Sequence, residues 1–280
     1  MPLLLVAKAT GRRCCVCRVG KQPSVPTTRR HSKSHLININ TNVNSNFRQT
    51  KKMKIFFTQC LTIIVSFSFA QFAIVYDKDS FCNVRSFAGK DNNIIDKLKN
   101  GYIVYCFQNE TNWTDIDYSK NGKALNGQVY KDRVIFISSY LTVPVLTKNN
   151  AKIILKKDSI KIVLTEQKFD KSKHRFSFYK EAKTQIELVD NKKYWGKDGG
   201  VPASEYKSIE VTIGQRKILL PKKAFENLYE PSLYNTQVNY DKTNDIIYIQ
   251  SMNSDGAGSY EVIWKIDKGV YKDRFIAYGF

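Results

Sequence analysis

From residue 71 onward, apolar and polar residues alternate over short runs, the period of half-buried β-strands. The clearest runs are Ala73-Ile74-Val75-Tyr76, Tyr102-Ile103-Val104-Tyr105-Cys106-Phe107, Asp245-Ile246-Ile247-Tyr248-Ile249 and Glu261-Val262-Ile263-Trp264-Lys265-Ile266. Turn formers separate them: Lys99-Asn100-Gly101, Asn121-Gly122, Asp255-Gly256-Ala257-Gly258 and Asp267-Lys268-Gly269. One short helix is predicted to open at Pro221, with Phe225 and Leu228 on one face, and to end before Pro231. The pattern therefore predicts a mainly β fold with one short helix. It breaks near residues 139–150, at Ser138-Ser139, Pro144 and Lys148-Asn149-Asn150, which divides the chain into residues 71–140 and a second β-rich domain, 141–280. No internal repeat relates the two parts.

Ahead of residue 71 the pattern changes. Lys51, Lys52 and Lys54 precede an apolar run that closes on Ser68 and Ala70, small residues two apart. That is the layout of a secretory signal peptide over residues 53–70, cleaved between Ala70 and Gln71. The run is shorter than the ~20 residues of a membrane-spanning helix and is interrupted by Thr, Gln and Ser. The expectation is an exported protein, periplasmic or secreted, with no stable membrane span after processing; an uncleaved anchor is the alternative. Cys60 lacks the small-residue context of a lipid-modified cysteine. Residues 1–52 show no amphipathic period and read as a disordered, non-native upstream extension before a start at Met53. An organelle transit peptide is the rival reading. Cys14, Cys15 and Cys17 have no second Cys pair, and His31 and His35 lie in featureless sequence, so no metal site is predicted there.

Charge looks at first like a nucleic-acid signature: 280 residues carry 45 Lys+Arg against 25 Asp+Glu, a net charge of +20. Residues 1–70 hold 12 of those bases and none of the acids, which leaves +8 on residues 71–280. This remainder is spread as lysine pairs at 156–157, 192–193 and 222–223, a solvated surface and no stripe for specific nucleic acid. A hydrophobic fraction of 42% excludes wholesale disorder and a multi-span membrane protein.

Residues 73–138 carry an ordered set of features. Phe81-Cys82-Asn83-Val84-Arg85-Ser86 is followed by Ile94-Ile95-Asp96-Lys97-Leu98-Lys99-Asn100-Gly101, the 102–107 strand, Asn112-Trp113-Thr114-Asp115-Ile116-Asp117-Tyr118 and Gly127-Gln128-Val129-Tyr130. This order resembles the bacterial SH3-like (SH3b) domain, a small β-barrel of exported proteins. Val84, Ile95, Leu98, Val104 and Ile116 suit the inward faces of such a barrel. Residues 119–126 make a longer hairpin than the pattern, and Cys82 stands where an aliphatic residue is usual. The resemblance implies a targeting module that binds cell-wall peptide, peptidoglycan or another envelope component. Tyr102, Trp113, Tyr118 and Tyr130 are the candidates for an aromatic ligand shelf, with barrel filling as the competing role. The closing region is similar to the C-terminal part of uncharacterised exported bacterial proteins: Trp195-Gly196-Lys197-Asp198, the Pro221 segment and the 255–258 hairpin follow in the same order.

Cys82 and Cys106 are the two cysteines after residue 70. In an oxidising compartment they are either a disulfide or two separate buried thiols. No catalytic residue is predicted. A papain-like site needs a Cys and a His, but no Cys follows Cys106, and the lone histidine, His174, sits in Lys171-Ser172-Lys173-His174-Arg175, which reads as a solvated turn. No metal or other cofactor is implied. The leading expectation is a non-catalytic binding protein of the cell envelope, with a wall peptide or an envelope protein as partner. The alternatives are an envelope-polymer hydrolase using carboxylates such as Asp198 and Asp255, and an adaptor or inhibitor of another exported protein.

Overall fold

The computed structural model describes residues 71–90, 92–107 and 111–278. The segment expected as a signal peptide, with its expected cleavage position at Ala70, and the expected extension over residues 1–52 lie outside the described residues. What is described is mainly β: every strand pairing is antiparallel, and helical structure is limited to single 3₁₀ turns.

The first sheet uses β1 (Gln71–Val75), β2 (Phe81–Arg85), β3 (Ile94–Lys99), β4 (Ile103–Cys106), β5 (Trp113–Lys120), β6 (Lys123–Tyr130) and β7 (Val134–Phe136). They run in the order β3-β2-β6-β5-β4-β1-β7 and curl into a half-barrel. Its concave side holds Val84, Leu98, Val104, Ile116 and Val129, all essentially inaccessible to water. Asn121 and Gly122 have φ of +53° and +74°, the left-handed pair of a two-residue hairpin joining β5 to β6. One inward assignment fails. Ile95 is 53% exposed, because a strand's period of two cannot turn both Ile95 and Leu98 to the same side; Leu98 takes the core.

Beyond residue 140, β8 (Leu141–Thr142), β9 (Val145–Asn149), β10 (Lys152–Lys157), β11 (Ile160–Lys168), β12 (Phe176–Phe178), β13 (Ile186–Val189), β14 (Ser204–Ile213), β15 (Arg216–Leu219), β16 (Thr236–Asp241), β17 (Ile246–Asn253), β18 (Tyr260–Asp267) and β19 (Val270–Tyr278) follow. They form one sheet ordered β15-β14-β11-β10-β9, a second ordered β19-β18-β17-β16-β8, and the small β12-β13 ribbon. The two large sheets share a core that includes Ile153, Leu164, Ile209, Val238, Ile249 and Trp264. The opposite face of the β19–β8 sheet is also covered: Tyr248, Ile263 and Ala277 pack against Phe72, Ile74 and Tyr105 of the half-barrel. Burial on both faces explains why β17 opens as the continuous run Ile246-Ile247-Tyr248-Ile249.

The segment expected as a helix from Pro221 forms a single 3₁₀ turn, Lys222–Ala224, with Pro221 extended in front of it. Tertiary donors claim the carbonyls a longer helix would use. Trp264 Nε1 donates to Ala224 O at 2.6 Å, Arg274 donates to Ala224 O and Glu226 O, and Trp195 N donates to Asn227 O at 2.9 Å. Asn227 itself is left-handed, with φ of +62°. The three sequence features that follow one another in this region meet here. Gly196 N donates to Gly258 O at 3.1 Å and Ser254 Oγ to Gly196 O at 2.7 Å, so the Trp-Gly turn, the 3₁₀ turn and the Gly-rich hairpin pack together.

Candidate functional site

Alternation along β2 turns Val84 into the half-barrel core and leaves Asn83 and Arg85 half-exposed on the other side. There they line a groove of about 440 Å³ with Asp77, Trp113, Tyr130 and Arg133. Trp113 opens β5 and Tyr130 closes β6. The strand register places them opposite each other, with ring centroids 5.4 Å apart and planes at 89°, an edge-to-face pair.

The polar side of the groove is built by loops. Val75 pairs with Val134, which carries the chain ends beyond β1 and ahead of β7 side by side. Arg133 accordingly meets Asp77 at 2.9 Å and reaches Asp132 at 2.9 Å. Asp77 is locked from behind: its N–H donates to Asn100 Oδ1 at 2.8 Å, and Asn100 Nδ2 donates back to Asp77 O at 2.8 Å. Its Oδ1 also accepts the Asp79 N–H at 2.9 Å. Arg85 donates to Asn93 Oδ1 at 2.7 Å. The Asn83 Oδ1 atom is buried and has no hydrogen-bond partner. A buried acceptor left open costs about 1–3 kcal/mol.

The four-aromatic shelf divides. Tyr102 and Tyr118 form their own pair, 6.4 Å apart, away from Trp113 and Tyr130. Tyr118 is 2% exposed and belongs to the core; its hydroxyl donates to Asp96 Oδ2 at 3.1 Å. The Tyr102 hydroxyl is spent on Ser119 O. Trp113 and Tyr130 are the two members that line the groove. Sequence reasoning missed Asp77 and Arg133; Asn83 and Arg85 had a signal in their alternation with Val84.

Cys82 and Cys106 are buried free thiols. Their strands, β2 and β4, are separated in the sheet by β6 and β5. Burial, with a smaller push from Asp77, raises the Cys82 thiol to about 11, and burial raises Cys106 to about 12. Both stay protonated at neutral pH and act as small apolar side chains. Gln71, the first described residue, opens β1 opposite Cys106.

His174 is not solvated. Its side chain is 8% exposed, and its ring stacks on Phe169 at 4.4 Å. Nδ1 lies 2.7 Å from Asp190 Oδ2 and Nε2 lies 3.6 Å from Glu205 Oε2. The lysines flanking it in sequence point the charge outward, while Phe169, Val189 and Tyr229 form the apolar cluster that draws the ring in. Asp255 lines a polar cleft of about 490 Å³ with Glu166 and Glu230. There burial raises Glu166 above its ordinary value, against a Ser204 hydrogen bond and with a further push from Glu230. Asp198 is exposed in its turn and is not part of that lining. Among the described residues, no three His, Cys, Asp or Glu side chains are grouped to hold a metal ion, and no helix is long and apolar enough to cross a membrane. The chain matches no protein-family model, no curated protein and no solved structure.

Proposed function

We propose that the protein is an exported bacterial SH3-like domain protein whose half-barrel, residues 71–140, binds a wall peptide or another peptide of the cell envelope. The observation that carries the reading is the groove beside β2, where an aromatic pair and a locked Asp77–Arg133 ion pair line the same volume. The chemistry suits a peptide carrying both signs of charge. Arg85, Lys90 and Arg133 stand near Asp77, Asp79 and Asp132, so the lining is balanced and gains nothing from a highly charged polymer of one sign. The Trp113–Tyr130 edge-to-face pair supplies a rigid apolar anchor at low entropic cost.

The test is co-sedimentation of the full chain with purified peptidoglycan sacculi at low and high salt. A shaped site retains binding at high salt, and Trp113→Ala weakens it by about tenfold or more, the usual loss for an aromatic hot spot. Binding that disappears with salt would reduce the interaction to net charge. Absence of binding to sacculi and to envelope protein extracts would refute the proposal.

A further inference from the structure

The β19–β8 sheet changes character along one of its faces. Tyr248 and Ile263 are sealed under the half-barrel by Phe72, Ile74 and Tyr105. Two residues further along β17, on the same side of the strand, stands Gln250, and two further stands Met252. On β18 the residue two before Ile263 is Glu261, and the register sets Gln237 of β16 opposite Gln250 and Met252 opposite Glu261. A face that was apolar beneath the half-barrel thus becomes amide-rich where the half-barrel ends. The half-barrel's edge, with Gln71, Phe72 and Ser138, forms one wall, Tyr234 and Asn235 form the other, and the space enclosed is about 420 Å³. That lies within the roughly 300–1,000 Å³ of small-ligand pockets.

The lining selects the ligand. A primary amide offers donors and an acceptor together, as a sugar hydroxyl needs. No Lys or Arg lines the cleft, and its one acid, Glu261, accepts the Tyr105 hydroxyl at 2.8 Å. An anionic ligand would therefore give up its hydration without gaining a cationic partner. The floor is a sheet face across which β16, β17 and β18 pair with one another, so it presents side chains and not a strand edge to a ligand lying on it. Tyr234 is 54% exposed, with Lys148 Nζ 4.6 Å from its ring centroid and its hydroxyl 3.3 Å from Asn150 Oδ1. An exposed aromatic ring beside amides suits a sugar, whose apolar C–H face packs on the ring while its hydroxyl rim meets the amides.

We propose that this cleft binds a neutral oligosaccharide, with Gln71, Gln237 and Gln250 bonding its hydroxyls and Tyr234 carrying the apolar face of a sugar ring. The site is separate from the β2 groove and does not depend on its function.

The full chain is titrated calorimetrically with the tetrasaccharides of N-acetylglucosamine, cellulose and maltose, and with tetra-alanine as the peptide counterpart. At least one tetrasaccharide binds with a millimolar or tighter dissociation constant. Gln250→Ala and Tyr234→Ala each weaken that binding by about tenfold or more, with unchanged far-UV circular dichroism. Tyr234 is exposed, so its variant retains the fold even if Gln250→Ala does not. No heat with any of the three sugars, an affinity indifferent to Tyr234→Ala, or binding of tetra-alanine in preference to the sugars would each overturn the proposal.

Discussion

Glu261 shows how one side chain can make the molecule sensitive to pH. It sits where the half-barrel meets the β19–β8 sheet, and burial raises its carboxyl above the ordinary value although the Tyr105 hydroxyl donates to it. The folded protein therefore holds the Glu261 proton more tightly than the unfolded chain does. Its contribution to stability is complete below the unfolded value and is lost as pH rises through the folded one. Glu261→Gln keeps an oxygen acceptor for Tyr105 and never ionises. Urea midpoints should be higher for the variant than for the wild type at pH 7 and equal at pH 4. A variant less stable than the wild type at pH 7 would mean that the charge is stabilised by its surroundings.

Gly196 governs how three segments meet. Its φ is +103°, and a Cβ built on it would stand 2.1 Å from Tyr229 O, a backbone atom that cannot yield. Gly214, with φ of +59° and nothing within 4 Å, is the control. Gly214→Ala should cost about 1 kcal/mol from backbone conformation alone. Gly196→Ala should cost roughly 3 kcal/mol or more, because the clash adds to the strain, and urea denaturation would separate the two. Equal losses would mean that the Trp-Gly turn can open without consequence. The same contrast between local and distant causes explains what could be read from the chain. Strands, the Asn121-Gly122 hairpin and the inward Val84, Leu98, Val104 and Ile116 follow from local periodicity and turn chemistry. The Pro221 segment does not, because Trp264 and Arg274, distant in sequence, take its carbonyls. His174 misleads for a related reason: its lysine neighbours mark an exposed turn, while Asp190 and the Tyr229 ring, distant in sequence, close on the imidazole. In the groove, Trp113 and Tyr130 were candidates by residue type, but which aromatics share a face depends on register. Asp77 and Arg133 meet through the Val75–Val134 pairing, which no local pattern shows.

The β19–β8 sheet is buried on one face by the β15–β9 sheet and on the other by the half-barrel, so neither neighbour can leave without exposing large apolar side chains. Phe72 is central to the second contact: it is 1% exposed, with Tyr105 at 5.0 Å and Phe275 at 6.0 Å between ring centroids. Tyr105 belongs to the half-barrel and Phe275 to β19, so the Phe72 ring ties one body of strands to the other. Two domains joined by a linker would unfold in separate steps, whereas layers sharing such a face should open together. Hydrogen exchange read by mass spectrometry in moderate urea can tell these apart. Amides of β4 and β17 should lose protection at the same urea concentration. Phe72→Ala, at a cost of about 3–5 kcal/mol for a buried aromatic truncation, should lower both midpoints by the same amount. If β4 exchanged in an earlier transition and Phe72→Ala moved that one alone, the half-barrel would be an autonomous domain. The cleft between the layers would then be a hinge, where a sugar seated on Gln250 and Tyr234 would be gripped by closure instead of by a preformed wall.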